Sequence, residues 1–141
     1  MSQTASQGLD PTMEFIRLGP KTGGVLYNAR SSAPEARIGL IWMHPNSDTF
    51  THLGVRELAK RGFCVLSADG QYVNSNRETM IWENLPLDLK PAVTYLRGLP
   101  GIDHVVLTGH SGGGQLMPFY QNVAENGLAA CQVRYASPSL A

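Results

Sequence analysis

The chain predicts an α/β fold in three layers, with helices on both faces of a mostly parallel sheet that opens with an antiparallel hairpin. Three observations carry this. The apolar runs Ile38–Met43, Phe63–Ala68 and His104–Thr108 are too short for helices and read as strands buried on both faces. Each run is followed by apolar residues at helical spacing, and strands alternating with helices of that length make βαβ units. With 141 residues, 43% hydrophobic and 16% charged, the chain can build one core and has little room for a second domain.

In order, residues 1–11 are polar and are expected to fray, and the domain runs from 12 to 141. Met13–Leu18 and Val25–Ala29 flank a Gly-Pro-Lys-Thr-Gly-Gly turn and read as a β-hairpin. A polar linker containing Pro34 leads into the strand Ile38–Met43. After the loop His44–Thr51, the residues Val55, Leu58 and Ala59 mark one helix face, which Gly62 ends. Phe63–Ala68 is the next strand, opening into a loop rich in Asn, Ser and Gly. Leu89, Ala92, Val93 and Leu96 then fall at i, i+3, i+4 and i+7, so a helix is expected from about Pro91 to Gly98. His104–Thr108 is the third buried strand. Beyond the glycine cluster 109–114, Leu116, Phe119, Tyr120 and Val123 repeat the helical stripe, with Pro118 placed to bend it. A last strand is expected at Cys131–Ala136.

Charge and cysteine content narrow the function. Eleven Lys and Arg balance eleven Asp and Glu, so neither a basic nucleic-acid surface nor an acidic tail is indicated. Cys64 and Cys131 have no zinc-ligand spacing, and Cys64 reads as a small buried hydrophobe. No apolar run approaches the roughly 20 residues that span a bilayer, and the polar start lacks a secretory pattern. A cytoplasmic protein with no membrane contact is the expectation.

Gly109-His110-Ser111-Gly112-Gly113 carries the chemistry. The serine follows a buried strand and precedes a helical stripe, the strand–turn–helix setting of a G-x-S-x-G elbow. So tight a turn forces the serine into a strained conformation. A side chain two residues to either side would strike the neighbouring strand or helix, so glycine is a steric requirement. The turn lifts the hydroxyl off the carboxyl edge of the sheet and aims N–H groups of the helix start at the place where an oxyanion would form.

With these residues the chain resembles the N-terminal half of the α/β-hydrolase family, over roughly 12 to 136. The resemblance rests on the elbow Gly109–Gly113, on the strand ending in Met43-His44-Pro45, and on the strand ending in Ala68-Asp69-Gly70. It implies an esterase-like hydrolase of a small ester or acyl substrate, needing no metal or organic cofactor. Ser111 would be the nucleophile and the Gly112 N–H one oxyanion donor. The second donor would come from the loop at His44–Ser47. Pro45 has no N–H, which points to Asn46.

The family also uses a carboxylate and a histidine placed after the serine. Downstream of Ser111 the sequence has Glu125 as its single acid and no histidine. Glu125 lies about 14 residues along a helix, roughly 20 Å away. His104 is roughly 23 Å off, at the far end of its strand. His52 starts a helix, and His110 would point to another side of the turn, as a packing or substrate-lining residue. His44 sits at the correct sheet edge, as a structural residue of the oxyanion loop or as a stand-in base. Asp69 either caps its loop or joins the pocket, and Trp42, Met80 and Trp82 either fill the core or line an acyl pocket. The glycines 112–114 lack the Lys-Ser/Thr of a phosphate loop. The domain therefore reads as incomplete at its C-terminus. It would be completed by further sequence, or by a second chain or copy pairing with the open edge Cys131–Ala136. The alternative is a non-catalytic remnant that serves as a binding module.

Overall fold

The computed structural model describes residues 10–28, 31–75 and 77–127. Five strands form one sheet: β1 (Thr12–Arg17), β2 (Gly23–Asn28), β3 (Ile38–Met43), β4 (Cys64–Ala68) and β5 (His104–Thr108). Their spatial order is β1-β2-β4-β3-β5. The hairpin β1–β2 is antiparallel, and β2 joins β4 antiparallel. β4, β3 and β5 run parallel, so 104–108 lies alongside 38–42 in the same direction. The parallel segment, the opening hairpin and the α/β layering all match the sequence reading.

The pairing register separates two apolar faces. Leu26, Leu66, Ile41 and Leu107 lie side by side across one face, and Tyr27, Val65, Leu40 and Val106 across the other. The first face packs against α2 (Leu85–Gly98) and α3 (Gly112–Asn126), through Leu85, Leu89, Leu96, Leu116 and Met117. The second packs against α1 (Leu53–Lys60), through Val55 and Ala59. Ile41, Leu66, Val65 and Leu89 are fully buried, each contributing about 1.5–3 kcal/mol of transfer free energy.

The helix before β5 starts six residues earlier than the sequence reading placed it. Leu85, Leu89, Ala92, Val93 and Leu96 form one continuous buried stripe, and Pro86 occupies the helix start, where its fixed φ is favourable. Pro91 is therefore interior and removes the bond to the Leu87 carbonyl. Leu87 lies on the exposed face, where water can satisfy that oxygen. α1 begins at His52, whose Nδ1 accepts the Gly54 N–H at 3.0 Å, and the chain turns out at Gly62 with φ 101°. α3 holds Pro118 as expected and ends at Gly127, φ 73°. The expected strand Cys131–Ala136 lies outside the described residues.

Two polar pins fix the loops at the carboxyl ends of the parallel strands. The buried hydroxyls of Thr49 and Ser67 bond at 2.8 Å, and the Tyr27 hydroxyl donates to the Phe50 carbonyl at 2.6 Å, so the loop after β3 is held to the sheet. The Asp88 carboxylate accepts the Gln71 N–H at 2.9 Å and a side-chain N–H of Gln71 at 3.2 Å, tying the loop after β4 to α2. No helix is long and apolar enough to cross a membrane, among the described residues.

Candidate active site

β5 ends at Thr108, and the chain reverses into α3 over three residues. Ser111 stands on this bend with φ 56° and ψ −121°. A non-glycine residue in that region costs about 1–3 kcal/mol and persists only where its surroundings enforce it. Here they do. The Gly113 N–H donates to the His110 carbonyl and the Gly114 N–H to the Ser111 carbonyl, both at 2.9 Å, closing the first turn around the serine. A Cβ at Gly109 would sit 2.5 Å from the Gly113 carbonyl carbon, and one at Gly113 would sit on the Met43 carbonyl oxygen of β3. The two outer glycines are thus the price of threading a bend between strand and helix, as the motif predicts.

Three segments meet in a cavity of about 440 Å³ at this edge of the sheet. The elbow contributes Ser111, which is exposed, with Gly112 and Gln115 from the first turn of α3. The loop after β3 contributes His44, Pro45 and Asn46, and the segment before α2 contributes Met80 and Trp82. The loop presses closely on the elbow: a Cβ at Gly112 would lie 3.0 Å from His44 Nε2 and 3.1 Å from Pro45 Cδ.

The structure brings Ser111, Gly112, His44 and Asn46 together and sets His110 apart. The His110 ring faces His52 at 5.8 Å between centroids, and His52 in turn stacks on Trp42 at 4.8 Å, on the α1 side of the sheet. Neither His110 nor Trp42 is among the cavity's lining residues. The Asn46 backbone N–H, expected to face the cavity as a donor, is turned onto His44 Nδ1 at 3.3 Å. A neutral imidazole that accepts at Nδ1 carries its proton on Nε2, so the His44 atom beside Gly112 is a donor. His104 pairs with Ile38 at the opposite end of β5, and Glu125 is bonded to Gln121 near the end of α3.

Asp69 stays out of the cavity but next to the loop that forms it. Its Oδ1 is buried without a hydrogen-bond partner among the described residues. Burial, reinforced by the nearby Asp48 charge and opposed by a hydrogen bond from the Thr49 backbone, pushes its carboxyl up to about 6. Burial also raises the Asp88 carboxyl, against its bonds to Gln71. Among the described residues, no group of three or more His, Cys, Asp or Glu could hold a metal ion. Gln115 is the lining residue that sequence reasoning missed. Its place four residues after Ser111, one helical turn on, is the signal that points to it.

In structure the chain is similar to a brefeldin A esterase, a bacterial homologue of human hormone-sensitive lipase, with a TM-score of 0.59 at 19% identity. The match covers 92% of this chain and 40% of that one. No protein-family model matches the chain, and no curated protein matches it in sequence. The likeness establishes the fold. The mixed sheet, its strand order and its helices are those of the α/β-hydrolase fold, of which this chain spans part.

Proposed function

We propose that the chain is the nucleophile-bearing part of a cytoplasmic serine hydrolase acting on an ester or related acyl bond. The observation that carries this reading is Ser111, exposed and held at φ 56° where a parallel strand passes into a helix. Ser111 Oγ attacks the acyl carbon. The negative charge then developing on the carbonyl oxygen is met by the Gly112 N–H at the positive end of α3. With the Asn46 N–H engaged by His44, the second donor is the Asn46 side-chain amide. Each such donor is worth about 3–4 kcal/mol of transition-state stabilisation. The proton acceptor and its carboxylate come from outside the described residues, from further sequence or from a second chain meeting the β5 side of the sheet. Acyl transfer of this kind draws on protein groups alone and calls for no cofactor.

A serine-directed fluorophosphonate probe tests the reading directly. Labelling that disappears in Ser111→Ala, together with slow hydrolysis of p-nitrophenyl acetate lost in the same variant, is the expected result. Without its base the serine should react about six orders of magnitude below a complete triad, so labelling is read over many hours at high probe concentration. No labelling anywhere between about pH 6 and 9 would leave a binding module that has kept the fold.

A further inference from the structure

Accepting Ser111 as the reacting group, we infer that the cavity selects uncharged esters bearing an apolar group, with Trp82 and Gln115 setting that selectivity. One wall is apolar and pre-formed. Trp82 lies in the short turn Trp82–Asn84 and meets Phe119 of α3 edge to face, at 6.2 Å and 82°. The same turn is tied down by Asn84 Nδ2, which donates to the Tyr72 hydroxyl at 2.9 Å. Trp82 and Met80 are half-buried against the α2–α3 core, so part of each remains open to the cavity they line. A flat or aliphatic group can pack there without ordering a mobile side chain, which lowers the entropy cost of binding.

The rest of the described lining is polar but carries no formal ionic partner. The described lining residues include no Lys, Arg, Asp or Glu; the polar groups are His44, Asn46, Gln115 and Ser111. A substrate carboxylate entering this cavity would lose hydration with no cation among the described lining residues to compensate it, whereas a neutral ester loses little. Gln115, exposed on the first turn of α3, offers amide hydrogen bonds in place of charge. At about 440 Å³ the cavity is within the usual range for small-molecule sites.

The test uses the full chain carrying Ser111→Ala, so that ligands are bound without turnover. Phenyl butyrate is compared with monophenyl succinate, which differs by a carboxylate at the end of the acyl chain. The chain has two tryptophans, so two indole N–H signals report by NMR which one meets ligand. Phenyl butyrate should bind about tenfold or more tightly, shifting the Trp82 signal and leaving that of Trp42 in place. Adding Trp82→Ala should weaken phenyl butyrate about tenfold. Because that change also removes the contact with Phe119, the surface substitution Gln115→Lys provides an independent reading: it should bring the succinate ester to within about threefold of the butyrate. Equal binding of the two esters to the Ser111→Ala chain, movement of Trp42 instead of Trp82, or no gain for the succinate ester in Gln115→Lys would overturn the inference. A neutral-ester preference in a chain that fluorophosphonates never label would instead refute the nucleophile and leave the selectivity standing.

Discussion

The parallel strands have a cavity at each end, and the two differ in a way that volume does not reveal. The larger, about 620 Å³, lies at the amino ends, where β3 and β4 begin and α2 finishes; Arg37, Cys64, Tyr95, Leu99 and Ile102 are among its walls. The smaller, at the carboxyl ends, holds Ser111. Each end carries a nucleophile by type. Burial pushes the Cys64 thiol up to about 11, leaving almost no thiolate at neutral pH, and the neighbouring helix end presents carbonyls, which oppose negative charge. Ser111 is exposed and sits at a helix start, whose N–H groups favour negative charge. Chemistry in an open α/β sheet is therefore placed by the direction of strands and helices, which sends helix starts to the carboxyl edge, and not by the room available.

The comparison breaks first at Gly113. If the carboxyl end is as tightly built as its contacts indicate, Gly113→Ala must push α3 away from the Met43 carbonyl, a backbone atom that cannot rotate aside. The expected loss is about 3 kcal/mol or more, seen as a lowered urea midpoint, with fluorophosphonate labelling gone even where the variant still folds. A midpoint within about 0.5 kcal/mol of the parent would mean that the bend is slack and its glycines incidental.

How much of this end could be read from residues alone divides between sterics and contact partners. The strands Ile38–Met43 and His104–Thr108 were legible to the residue, because short apolar runs bounded by polar residues leave few other solutions. The requirement for Gly109 and Gly113 was legible as sterics. Contact partners were not. His110 turns to another side of the bend, as its place in the turn implies, but the ring it meets there is His52 at the start of α1, far along the sequence. The Asn46 N–H turned out to be occupied because His44 folds back on it, a two-residue contact that no periodicity reports. The start of α2 differs from the expected Pro91 because the first-turn role belongs to Pro86, five residues earlier.

A second, intermediate effect sharpens the picture of the carboxyl end. The Asp69 carboxyl is raised from 3.8 to about 6 on folding, so between those values the folded chain holds a proton that the unfolded chain has lost. This group's contribution to stability is therefore fullest below about pH 4 and is lost as the pH rises through about 6. Asp69→Asn removes a buried charge that only the Thr49 backbone N–H supports. It should stabilise the protein at pH 7 by about 1 kcal/mol, after allowance for partial exposure, and flatten the stability profile between about pH 4 and 6. Asp88, raised for the same reason, keeps some slope of the same sign in the variant. Urea midpoints across that range measure it, and an unchanged slope would show that the Asp48–Asp69 neighbourhood is open to water.

The smallest effect is expected at the amino end, and it completes the contrast with Gly113. Gly39 is the second residue of β3, and a Cβ there would approach Leu96 Cδ1 at 3.2 Å and Ile102 Cγ2 at 3.3 Å. These are the ends of side chains, beside a cavity that Ile102 itself lines, so a shift of a few tenths of an ångström has somewhere to go. Against the crowding stands the backbone freedom that alanine removes from the unfolded chain, about 0.4–1 kcal/mol. The two nearly offset, so Gly39→Ala should cost less than about 1 kcal/mol and leave the rate of Ser111 labelling unchanged. A loss as large as that of Gly113→Ala would show the amino end to be packed as rigidly as the elbow. The distinction between a strained edge and an accommodating one would then rest on Ser111 alone.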